Sequence, residues 1–181
     1  MRAFIAIELP EELRNRLAHE QTRFRAVAPD ARWTRPDGIH LTLKFLGEIS
    51  DEQVAQVKEA LEEIRSFEPF TVRAKGFGFF PDARRPRVFW AGLDAAPELA
   101  QLAARVDSAM ATLGFAPENR AFSPHLTLGR FKDPRPQPKL QALIAEQGEG
   151  ALGEFAVSEF YLWESKLSPQ GAQYRKVARF H

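Results

Sequence analysis

The chain contains no cysteine in its 181 residues. Disulfides and thiolate metal sites are therefore excluded, which fits a reducing compartment. No apolar run approaches the ~20 residues that a membrane helix needs. The stretch from Met1 to Leu13 has no long apolar segment and no small-residue cleavage site of the kind a signal peptide carries. Its apolar run is of strand length and is broken by Glu8 and Pro10. A soluble, cytoplasmic protein without membrane contact is expected. Charge of one sign is lacking too, with 25 Lys plus Arg against 24 Asp plus Glu, so bulk charge names no partner. A Gly-x-Ser-x-Gly elbow is absent, which removes the usual signal for a serine hydrolase. Gly76-Phe77-Gly78 is not followed by the helix start that a phosphate-cradling glycine loop requires. Histidine is scarce as well: the chain has four.

Two of those four sit in identical tetrapeptides, His40-Leu41-Thr42-Leu43 and His125-Leu126-Thr127-Leu128. Apolar Leu41, Leu43 and Phe45 alternate with polar His40, Thr42 and Lys44, which is strand patterning. Successive strand side chains point to opposite faces, so the leucines are expected in a core. His and Thr then share the other face. His19 lies among charged residues of a predicted helix and His181 is the last residue, and both read as surface.

The two motifs belong to a longer repeat. Their histidines are 125 − 40 = 85 residues apart, and that shift lays Ala3-Phe4-Ile5 on Val88-Phe89-Trp90. It also lays Phe70-Thr71-Val72 on Phe155-Ala156-Val157. Each half reads as strand, helix, motif strand, helix, strand. Ser50 and Gln53 form a capping box before one helix, and Gly114 stops another. The expectation is one domain over residues 1–181 with two similar lobes, about 1–85 and 86–181, related by a pseudo-twofold. A repeat this long indicates duplicated half-domains rather than a solenoid. Strands are expected at 3–9, 70–76, 88–93, 123–131, 155–165 and 174–180, among others. Basic loops carry Arg32 and Arg35, then Arg84, Arg85 and Arg87, then Arg130, Lys132, Arg135 and Lys139. They suit a phosphate-bearing ligand if they border the histidines, and are plain solvated surface otherwise.

Paired histidines invite a metal, but zinc and iron sites recruit Cys, Asp or Glu at close spacing. Each motif here offers only Leu and Thr beside its His, so no metal and no cofactor is expected. Two imidazoles facing one cleft suit general acid–base catalysis near neutral pH. Threonine hydroxyls beside them can donate hydrogen bonds to phosphoryl oxygens as charge builds up in a transition state. Hydrolysis or transesterification of a phosphodiester without metal fits that set.

The two His-x-Thr motifs resemble those of the two-histidine phosphoesterases. So do the opening Arg2-Ala3-Phe4-Ile5-Ala6-Ile7, the run from His40 to Gly47, and Ser123-Pro124-His125 through Arg130. More narrowly, the chain is similar over essentially its whole length to the RNA 2′,3′-cyclic phosphodiesterases once described as 2′-5′ RNA ligases. The resemblance implies a bilobal α+β fold with antiparallel sheets, outer helices and both motifs lining a central cleft. It implies metal-free hydrolysis of an RNA-terminal 2′,3′-cyclic phosphate to a 2′-phosphomonoester, acting on RNA 3′ ends or small cyclic nucleotides. His40 would protonate the departing 3′-oxygen and His125 would activate water. Thr42 and Thr127 would hold the phosphoryl oxygens. Arg130 matches a basic residue that the family often places after its second motif. Its odd offset from His125 brings it to the cleft only if the strand ends or bends near Gly129. Lys44 has the right parity but weaker support. Trp33, Phe79 and Phe80 are candidates to stack a base, or else pack the core and lobe edges. A monomer is the default. Two alternatives stay open: 2′-5′ ligation in the same site, and a nucleotide- or RNA-binding module without turnover.

Overall fold

The structure, a computed structural model, describes residues 1–64, 66–148 and 150–181. Nine strands and four helices form two antiparallel sheets among these residues, an α+β architecture. In chain order they are β1 (Arg2–Ile7), α1 (Glu11–Val27), β2 (Arg32–Trp33), β3 (Leu41–Glu48), α2 (Asp51–Glu62) and β4 (Phe70–Phe80). There follow β5 (Val88–Ala95), α3 (Pro97–Thr112), β6 (His125–Arg130), α4 (Pro138–Gln147), β7 (Ala151–Val157), β8 (Phe160–Ser168) and β9 (Gly171–Phe180). One sheet has the order β3-β1-β8-β9, the other β2-β6-β5-β4-β7.

The two halves of the sequence do not coincide with the two sheets. β4 leaves the first half to pair with β5 and β7, while β8 returns to pair with β1. The expected single strand from Phe155 to Ser165 is therefore two strands. The chain crosses from one sheet to the other at Ser158 and Glu159, where neither strand continues. Helices cross over as well. α1 packs with α4 and against β7, and α3 packs against β3 and α2. Ser50 and Gln53 form the capping box of α2, each side chain bonded to the other's backbone.

β1 is apolar from Ala3 to Ile7 because both its faces are buried. Ala3, Ile5 and Ile7 enter the main core. Phe4 and Ala6 join Tyr161 and Trp163 of β8 in a smaller aromatic cluster on the other face, with Tyr174 packed against it.

Neither motif strand keeps an unbroken alternation. In the β1–β3 ladder Ile5 faces Lys44 and Ala6 faces Thr42, so Leu43 is an extra residue. In the β5–β6 ladder Phe89 faces Gly129 and Trp90 faces Thr127, so Leu128 is extra. These are β-bulges at the same place in the two motifs, and each shifts the phase of the following side chains by one residue. Phe45 consequently turns away from the core and is 69% exposed, contrary to the alternation read from sequence. Lys44 turns the other way, towards α3.

The second bulge is braced by α1. The buried Gln21 amide donates to the Leu128 carbonyl at 3.0 Å and to the Thr34 carbonyl at 2.7 Å. Thr34 in turn donates its N–H to the Leu128 carbonyl at 2.9 Å. Gln21→Leu deletes both side-chain bonds and leaves the Thr34 carbonyl without this donor. The expected cost is about 1–3 kcal/mol of unfolding free energy, read by urea denaturation.

Candidate active site

A cavity of about 850 Å³ opens between β3 and β6, and His40, Thr42, His125, Thr127 and Arg130 all line it. His40 stands immediately before β3 and Thr42 lies within it, while His125 and Thr127 lie in β6. The bulge at Leu128 is what brings Arg130 to the same side as His125 despite its odd offset. By the same step on the opposite wall, the bulge at Leu43 brings Phe45, five residues after His40, to the cavity.

Each imidazole is tied to backbone two residues upstream. His125 Nδ1 lies 2.7 Å from the Ser123 carbonyl oxygen, and His40 hydrogen-bonds to the backbone of Gly38. A carbonyl only accepts, so Nδ1 of His125 carries the proton and Nε2 of the neutral ring is left to accept one. Lys44 borders the cavity, but its ammonium is committed to Asp107 Oδ1 at 2.5 Å and the Ala116 carbonyl at 2.7 Å. Asp107 also accepts the N–H of Glu118. Lys44 thus ties the first motif strand to α3 and to the loop that leads into the second motif. With Asp107 neutralised, Arg87, Arg120 and Arg130 outweigh Glu118 among the lining charges, which favours an anion. Of the basic loop residues singled out in the sequence, Arg87 and Arg130 line the cavity. Arg32, Arg35, Arg84, Arg85, Lys132, Arg135 and Lys139 do not.

Residues 7–90 and 93–174 match the sequence profile of the LigT-like phosphoesterases. The chain belongs to this family. A Methanothermobacter thermautotrophicus relative named RNA 2′,3′-cyclic phosphodiesterase is 34% identical over 181 residues, spanning 99% of this chain and 98% of that one. A crystal structure from Thermus thermophilus superposes with a TM-score of 0.82 at 31% identity, covering 99% and 97% of the two chains. Escherichia coli LigT crystallised with 3′-AMP gives 0.79 at 30% identity, covering 99% and 96%.

Within this LigT-like phosphoesterase the matching motifs have unequal surroundings. The His40 ring is enclosed by Trp163, Tyr174 and Phe4 at centroid distances of 4.4, 5.1 and 5.3 Å. His125 meets the edge of one ring, Phe80, at 4.8 Å. Burial among rings disfavours imidazolium, and it lowers the His40 pKa from 6.5 to about 4 against the opposing pulls of the Gly38 backbone, Glu8 and Asp37. Trp33 packs on Phe24 and Phe89 and donates its indole N–H to the Ala28 carbonyl. Phe79 packs on Phe89 and Phe131. Both are half-buried against the core, whereas Phe80 lines the cavity. Phe45 is a lining residue that strand alternation does not mark, although its offset from His40 equals that of Arg130 from His125.

The depressed pKa of His40 ties stability to pH. The unfolded chain binds this proton below about 6.5 and the folded protein only below about 4. Stability from this group is therefore complete above pH 6.5 and is lost as pH falls to 4. The loss is at most about 3 kcal/mol, at ~1.4 kcal/mol per pKa unit. Denaturant titrations at pH 7, 6, 5 and 4 are expected to show a steeper decline for the wild type than for His40→Gln. Parallel declines in the two proteins contradict the assignment.

Proposed function

We propose that this LigT-like phosphoesterase hydrolyses the 2′,3′-cyclic phosphate at an RNA 3′ end to a 2′-phosphomonoester. A water oxygen bonds to phosphorus as His125 takes its proton, and the bond from phosphorus to the 3′-oxygen breaks as His40 protonates the leaving oxygen. Thr42 and Thr127 donate to the non-bridging oxygens, and Arg130 adds a guanidinium suited to anionic oxygens. The observation that carries the reading is one cavity lined by both imidazoles and both threonines.

The chemistry follows from what these groups can do. The Ser123 carbonyl fixes the tautomer of His125, so that its free nitrogen accepts a proton from water. His40 is neutral before substrate arrives; a phosphate anion beside it offsets the desolvation and restores the proton that the acid role needs. An exposed Phe45 ring on the cavity wall suits stacking of the terminal base. The name of the Methanothermobacter relative and the 3′-AMP held by E. coli LigT support the same substrate class.

Turnover of a 2′,3′-cyclic nucleotide and of an RNA with a cyclic phosphate end is expected to persist in excess EDTA. His40→Ala and His125→Ala are each expected to lower kcat by ~10²–10⁴-fold. Thr42→Val or Thr127→Val should cost about 10- to 100-fold, the weight of one hydrogen bond to a charged oxygen. A histidine variant with near wild-type rates, or a requirement for added metal, rejects the mechanism. Separately, Phe45→Ala is expected to raise KM by about 5- to 100-fold, the range for losing one base–aromatic stack. The check is steady-state kinetics on a cyclic mononucleotide.

A further inference from the structure

We propose that Tyr174 is a positioning residue for His40, acting both by ring contact and through the Gly38 backbone to which the imidazole is bonded. Tyr174 lies on β9 and meets the His40 ring at 5.1 Å with an interplanar angle of 65°. It also roofs the backbone bonded to that ring. A Cβ built on Gly38 falls 3.0 Å from Tyr174 Cε2 and 3.1 Å from its hydroxyl. One side chain therefore presses on the imidazole and on the residue that orients it.

The other two walls of this box are fixed independently. Trp163 stacks on Phe4 with an interplanar angle of 3° and donates its indole N–H to the Ala6 carbonyl. Both residues belong to the buried aromatic cluster, while Tyr174 is the partly exposed ring packed against it. Tyr174 is thus the wall that closes the box towards solvent. Its hydroxyl has no hydrogen-bond partner among the described residues, so the ring rather than the hydroxyl does the holding. The charges that face His40 come from other elements: Glu8 beyond β1, Asp37 in the turn at Pro36–Gly38, and Arg14 on α1. Burial, joined by Arg14, outweighs Glu8, Asp37 and the Gly38 backbone. Removing the Tyr174 ring admits water, frees the imidazole to turn, and lets Glu8 and Asp37 favour the charged form.

The kinetic consequence rests on the proposed reaction, but the direct test does not. The His40 imidazole is followed by NMR through its Cε1–H signal, assigned with His40→Gln, across pH 3.5 to 8. The wild-type midpoint is expected near 4. Tyr174→Leu should raise it by at least about one unit towards 6.5, and Tyr174→Phe should leave it within a few tenths. In parallel, kcat should fall about tenfold or more in Tyr174→Leu and be retained in Tyr174→Phe. The acid limb of kcat/KM should move with the NMR midpoint. Midpoints are read only over the pH range in which the far-UV circular dichroism of each variant stays native, because an unfolded chain titrates near 6.5 whatever surrounds His40. An unmoved midpoint in Tyr174→Leu overturns the proposal, and so does an equal shift in Tyr174→Phe. Should Tyr174→Leu fail to fold, Tyr174→Met, which also removes the aromatic wall, carries the same test. A rise in its midpoint supports the proposal and none overturns it. A wild type that turns over no cyclic phosphate rejects the reaction and leaves the titration result standing.

Discussion

Which side chains meet in the cavity is decided by one backbone event that happens twice. A strand sends consecutive residues to opposite faces, and unbroken alternation would put Phe45 in the core and turn Arg130 away from His125. The extra residue at Leu43 and again at Leu128 reverses the phase beyond that point. Each motif then adds to its histidine and threonine, as a further lining residue, the one five places after the histidine. That residue is a phenyl ring on one wall and a guanidinium on the other. The backbone is symmetric here and the chemistry is not. The same slip lets Lys44 reach α3, where Asp107 and the Ala116 carbonyl hold its ammonium at the cavity wall.

A second asymmetry lies behind the histidines. Identical tetrapeptides fix the direction of both imidazoles but not what surrounds them. Strands β1, β8 and β9 put Phe4, Trp163 and Tyr174 around His40. On the other wall the ring against His125 is Phe80 alone among the described residues. Desolvation therefore acts strongly on His40, and the two imidazoles differ in their packing rather than in their own sequence.

Much of this was legible in the chain itself. The duplicated tetrapeptides, the capping box at Ser50 and the apolar character of β1 follow from local patterning, and the α+β class from the resemblance they support. The splitting of 155–165 into two strands is marked in the sequence only by the adjacent polar pair Ser158-Glu159, a break short enough to pass within one strand. The bulge at either leucine was not legible, since a bulge is set by the partner strand and by helix contacts such as the Gln21 amide on the Leu128 carbonyl. The aromatic box was hidden for a related reason. Its members, Phe4, Trp163 and Tyr174, lie far apart along the chain and have no common spacing.

The exchange of β4 and β8 between the sheets bears on the order of assembly. His40 and Phe4 are made early in synthesis, but the other two strands that enclose the imidazole, β8 and β9, begin 120 residues or more after His40. Contacts so distant along the chain are slow to form, since a long loop must close before they are rewarded. The five-stranded sheet, whose strands all lie at or before Val157, can therefore be complete while the first imidazole is still open to water. A chain of that length can hold the second imidazole in place while the first still lacks Trp163 and Tyr174.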